Sequence, residues 1–70
     1  MLVFEYSNNC FKLWGFKDIK YIDNSKIKVT YKSKSLLVEG NNLVICNLID
    51  QSMEVRGVIN KIVMEYFIND

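Results

Sequence analysis

"VEGNNLVICNL", residues 38–48, sets a glycine and two asparagines between two apolar runs. Read locally, it is a hairpin. With Gly40 and Asn41 as a two-residue corner, Glu39 pairs with Asn42, Val38 faces Leu43 and Leu36 faces Ile45. Gly-Asn suits such a corner because the loop needs positive φ, which glycine adopts without steric cost. The register gathers Leu36, Val38, Leu43 and Ile45 on one face, as a half-buried sheet requires. Leu37 and Val44 meet on the other face. The expectation is a structural turn at Gly40 and Asn41, not a binding loop.

Upstream, "KIKVTY" at 26–31 alternates cleanly, with Ile27, Val29 and Tyr31 on one side and Lys26, Lys28 and Thr30 on the other. That period of two marks a strand with one wet face. "FKDIKYIDNS" places Ile19 and Tyr21 together before a turn at Asp23-Asn24-Ser25. Phe11 and Leu13 alternate with Lys12 and Trp14, and Leu2, Phe4 and Tyr6 share a face of an N-terminal strand. Downstream, "DQS" at 50–52 is a turn and "MEVRG" at 53–57 resumes the alternation. The run "GVINKIVMEYF" fits two periods. Ile59, Ile62, Val63, Tyr66 and Phe67 have helical spacing, while Ile62, Met64 and Tyr66 have strand spacing. Its β-branched and aromatic content favours the strand.

Three segments, "LWGFKDIKYID", "VEGNNLVICNLID" and "VRGVINKIVMEY", echo one another, each with a glycine before an alternating apolar run. The glycine spacings are unequal, so no solenoid is implied. The fold expected is all-β: one domain over residues 1–70, a small antiparallel meander of about six or seven short strands. It would curl into a sandwich or a partly closed barrel.

Seventy residues bury only about 60% of the surface the unfolded chain exposes, which leaves a thin core. Half the residues are hydrophobic, too many for a disordered chain. The formal net charge is +1, so no strong field draws in phosphate or anionic lipid. No apolar run approaches the roughly 18 residues of a membrane helix. "MLVFEYSNN" has no signal-peptide core, which leads to a cytoplasmic expectation. In that reducing setting Cys10 and Cys46, which form no CxxC pair, are expected as free thiols.

Histidine is absent, which removes the commonest general base, the usual activator of a cysteine nucleophile and a usual zinc ligand. Asp18, Asp23 and Asp50 fall in turns, where aspartate caps and bends the chain. The expectations are no catalytic, cofactor-binding or metal-ligating residue, no cofactor and no small-molecule substrate. Two binding classes remain. Lys12, Lys17, Lys20, Lys26, Lys28, Lys32 and Lys34 share the first half with Trp14, Phe16, Tyr21 and Tyr31, a composition that could stack single-stranded nucleic acid. Lysines on strands equally serve to guard edges, so nucleic acid is the alternative reading. The favoured class is an interaction module with a protein partner or self-association. Its candidate edge is "IVMEYFI", residues 62–68, where Ile62, Val63, Met64, Tyr66 and Phe67 are interrupted by a single charge and by no proline or glycine.

The order of these pieces resembles the YabP/YqfC family of sporulation proteins. The parts that carry the resemblance are "IKVTY", "YKSKS", "LLVEG", "NNLVI", "MEVRG" and "VINKIVMEY", with "FKLWGFKDIKYID" upstream, so it spans about residues 10–67. The resemblance implies a non-enzymatic assembly or interaction module in endospore-forming Firmicutes. It places the protein in the mother cell, in the formation of the layers around the forespore, and brings no catalytic motif.

Overall fold

Six antiparallel strands follow one another along the chain in the computed structural model, which describes residues 2–66. They are β1 (Val3–Ser7), β2 (Cys10–Trp14), β3 (Asp18–Ile22), β4 (Lys26–Tyr31), β5 (Lys34–Ile49) and β6 (Ser52–Tyr66). All belong to one sheet in the order β1-β2-β6-β5-β4-β3. The all-β expectation and the number of strands hold. The C-terminal run is strand as far as Tyr66. Four strands have five or six residues, but β5 has 16 and β6 has 15.

The extra length comes from the opening stretch. Gly40-Asn41 is not a corner: both residues lie inside β5, opposite Ile59 and Val58 of β6. Leu36 therefore faces Met64, not Ile45, and Val38 faces Ile62, not Leu43. The chain bends here without reversing. Three register shifts, at Glu39/Gly40, Asn41/Val44 and Ile45/Asn47, insert unpaired residues into the long β5–β6 hairpin. Such bulges kink a strand and strengthen its twist. A straight 16-residue strand would span about 50 Å, yet the longest dimension of the molecule is 39 Å.

The glycines are required by close approach. A Cβ on Gly40 would collide with the carbonyl oxygen of Val58, and one on Gly57 would lie 2.7 Å from the carbonyl oxygen of Asn42. Gly57 has φ 141°, and the left-handed residue of the segment is Asn42, at φ 55°. Asparagine tolerates that region better than most residues with a Cβ.

The bend divides the hairpin into halves, and each half takes one short hairpin. β1–β2 pairs with β6 over residues 52–56; β3–β4 pairs with β5 over residues 34–39. Their turns close on the bend from opposite sides. The amide of Gly40 donates to the Ser25 carbonyl at 2.9 Å and that of Leu43 to the Asn24 carbonyl at 2.9 Å, while Gly57 donates to Asn9 at 3.1 Å. The turns are themselves well specified. Asn8 and Asn9 both have positive φ, the requirement of the tightest hairpin loop. Asp23 accepts from the amides of Ser25 (2.8 Å) and Lys26 (2.7 Å) and from the Ser25 hydroxyl (3.1 Å).

Curling brings the inner faces of both halves into one core. Phe11, Leu13, Met53 and Val55 come from one half, and Ile27, Val29, Leu36 and Val38 from the other; Phe16 and Leu43 complete it. The sheet stops short of closing, with β1 and β3 at its two ends. One alternation fails. Ile19 and Tyr21 do not share a face, because the register shifts between them at Lys20; Ile19 packs on the core opposite Val29, while Tyr21 turns outward opposite Lys28.

The Asp23 hydrogen bonds hold its carboxyl below the usual carboxylate range, the Ser25 amide contributing most. A depressed folded value gives stability that is present above the unfolded pKa, about 3.9, and fades as pH falls through the folded value. Asp23→Ala is therefore expected to lower the urea midpoint at neutral pH and to converge on the parent in strong acid. Urea titrations at several pH values check this.

Candidate interaction surfaces

β6 outruns its neighbour. β2 flanks it only at residues 52–56, whereas β5 flanks it to Tyr66. Beyond the bend, among the described residues, the second half of β6 is paired on one side alone. β5 mirrors this: β4 flanks it only at residues 34–39, so residues 44–49 lack a neighbour on that side among the described residues. At Ile59 the Tyr6 hydroxyl accepts the backbone amide at 3.4 Å. Past that contact no strand adjoins the outer side of β6 among the described residues.

The sequence-derived edge residues divide by face. Ile62 and Met64 turn inward beside Val38 and Leu36 and pack partly buried on the core. Val63 turns outward beside Leu37, half-buried, and Tyr66 is 68% exposed with Lys34 Nζ 5.5 Å from its ring centre. Phe67 lies outside the described residues. β6 is thus an interior strand of the sheet with one half-open flank, rather than an outermost strand.

The outer face of the other half carries apolar side chains that the sequence does not group as one surface. Trp14 (39% exposed) stands between Val3 and Ser52, with Ile49 (60%) beyond. Val44 (58%) lies two rows away, beside Arg56. Below Trp14 a shallow depression of 190 Å³ is lined by Lys12, Asn47, Ser52, Met53 and Glu54. Lys12 is flanked across the strands by Glu5 and Glu54, so this face is charge-balanced. A wider depression of 410 Å³ sits where three connections meet, lined by Gly15, Phe16, Lys17, Tyr31, Lys32 and Gln51.

The seven N-terminal lysines do not converge. Lys26 lies opposite Glu39, Lys28 beside Leu37 and Lys12 between carboxylates; only Lys17 and Lys32 share a depression. Of the four aromatic residues grouped with them, Phe16 is core, at 3% exposure, and cannot stack on a base.

Both cysteines are free. Partial burial and the Glu54 carboxylate, which accepts from Cys10 Sγ at 3.5 Å, push the Cys10 thiol above its ordinary value. Cys46 is exposed on the bulged stretch of β5. Because the thiolate is the reactive form, iodoacetamide at pH 7.5 is expected to alkylate Cys46 several-fold faster than Cys10. Peptide mass mapping over time checks the order.

Among the described residues, no three histidine, cysteine or carboxylate side chains group to hold a metal ion. Among the described residues no helix is long and apolar enough to cross a membrane. No family model, no curated protein and no solved structure matches the chain.

Proposed function

We propose that this chain is a non-enzymatic assembly module of the YabP/YqfC sporulation type, acting in the mother-cell cytoplasm in the formation of the layers around the forespore. Two independent lines support the reading. The order of strands and glycines over residues 10–67 resembles that family. The observation that carries the interaction role is the half-flanked long hairpin: among the described residues this surface offers backbone edges without a partner strand and apolar side chains such as Trp14, Val44 and Ile49. Strand edges and exposed apolar faces are what one protein uses to dock on another.

The test is genetic. Removing the protein from its host during sporulation should reduce heat-resistant spores or leave the forespore layers incomplete, without affecting growth. Normal spores with normal layers would overturn the sporulation role.

A second reading rests on one feature, the depression that brings Lys17 and Lys32 beside Tyr31. Together they could hold a short single strand of nucleic acid. Filter binding of labelled oligonucleotides at two salt concentrations separates the readings. Binding that falls steeply with salt supports nucleic acid, and no binding leaves the assembly role.

A further inference from the structure

We infer that the open flank of β6 pairs antiparallel with the same flank of a second copy, on a two-fold axis through Val63. This stands whether or not the sporulation reading does. Over residues 61–66, β6 matches β5 one-to-one, from Glu39–Lys61 to Lys34–Tyr66, without a register shift. It is therefore a regular strand with one side unpaired among the described residues.

The other free edges are poorer templates. β3 is bulged at Lys20 and residues 44–49 of β5 are bulged at Cys46. Bulges spoil edge pairing. β1 is regular, but its only charge is Glu5, so no self-pairing register offers it an opposite charge.

The register follows from the sequence. In a two-fold antiparallel pair, opposed residues share a face, so the axis must pass through a residue. Through Ile62, Lys61 would face Val63 and Glu65 would face Ile59. Through Met64, Glu65 would face Val63. Only through Val63 does Lys61 meet Glu65 of the second copy, and it does so at both ends. Across β5, Lys61 already faces Glu39, without an ion pair within 4.0 Å among the described residues, while Glu65 faces Ser35 and has no charge across from it. Opposite charges directly across a strand pair stabilise it, and like charges destabilise it.

The same register matches the apolar residues on both faces. Inside, Ile62 meets Met64 of the second copy, which extends each core across the junction. Outside, Leu37 and Val63 of both copies form one continuous apolar row. The contact is short, so it belongs with weak, micromolar associations rather than obligate dimers.

Charge reversal tests the register. Lys61→Glu homodimers set acid against acid at both ends, and Glu65→Lys homodimers set base against base. Mixed one-to-one, the two variants pair acid with base at both ends. Sedimentation equilibrium is expected to show a parent dimer, each variant alone weakened tenfold or more, and the mixture restored to within a few-fold of the parent. A parent that stays monomeric at about 500 µM overturns the inference, because even weak interfaces assemble there. Variants that dimerise as the parent does place the contact elsewhere and overturn it too.

Should either variant fail to fold, Val63→Cys in a Cys10→Ser, Cys46→Ser background decides. Opposed residues on the axis bring their Cβ atoms within disulfide reach. Oxidation should give covalent dimer at least tenfold faster than with Tyr21→Cys, an outward position on β3. Equal rates overturn the inference.

Discussion

Gly40→Ala is expected to leave a substantial fraction of the protein unfolded at about 37 °C. The methyl group would point at the Val58 carbonyl oxygen, which belongs to the backbone of the facing strand. A flexible side chain could swing away, but this oxygen moves only if β6 moves with it. Forced overpacking of this kind costs about 1–3 kcal/mol, and more where backbone must shift. A core of this size supplies only about 3–5 kcal/mol. The expected result is a fall in the urea midpoint large enough to leave a substantial unfolded fraction in buffer, read by circular dichroism. Gly57→Ala attacks the same bend from the other strand and should also destabilise, since φ 141° is foreign to residues with a Cβ. Were Gly40 a solvent-facing corner, alanine there would cost only its positive φ, about 1 kcal/mol.

Phe11→Ala is expected to have a comparable effect by a different route. Phe11 is fully buried between the halves, opposite Val55 of β6, and its ring lies 5.7 Å from that of Phe4. Truncating a buried phenylalanine removes its transfer free energy and leaves a cavity, together about 3–5 kcal/mol. In a 70-residue domain that equals the whole margin. Trp14→Ala supplies the contrast. Trp14 is larger and lies three residues away on the same strand, but it faces outward and is 39% exposed. Its loss should move the thermal midpoint by a few degrees at most, since surface changes rarely exceed about half a kcal/mol. Equal losses from the two aromatic substitutions would mean that the faces of β2 are misassigned.

Most of the strand content was legible because alternation is a local signal. Phe11/Leu13 and Ile27/Val29 announce their inward faces, and the turn at Asp23-Asn24-Ser25 lies where polar chemistry puts it; of the turn expected at 50–52 Ser52 already begins β6, and Asp18, expected in a turn, begins β3 opposite Thr30. The bend was not legible. "VEGNNL" satisfies hairpin chemistry completely, and whether it reverses or only kinks is settled by what lies opposite. Here Val58 and Ile59, some eighteen residues later, pair with Asn41 and Gly40 before any corner can close. Long-range pairing of that sort leaves no mark within the stretch itself. The bulge at Lys20 was hidden for the same reason, and it sent Tyr21 outward against the apparent alternation.

The candidate edge follows from local composition only. Sparse charge and the absence of proline marked residues 62–68. The local signal does not carry that β6 lies inside the sheet, nor that, among the described residues, its flank is open beyond Arg56, where β2 stops. The division of Ile62 and Met64 from Val63 follows from pairing with β5, as does the placing of Lys61 and Glu65 on the outer face. Trp14, Ile49 and Val44 are scattered in sequence, and only pairing across the sheet puts them on one face.

Everything proposed for the flank depends on β5 and β6 being single bent strands. Nuclear Overhauser contacts between backbone protons across strands decide that directly. Contacts joining Leu36 to Met64 and Val38 to Ile62 are expected, with none joining Val38 to Leu43 across a corner. Contacts of Val38 with Leu43 and of Leu36 with Ile45, in place of those with β6, would contradict the bent hairpin and remove the open flank with it.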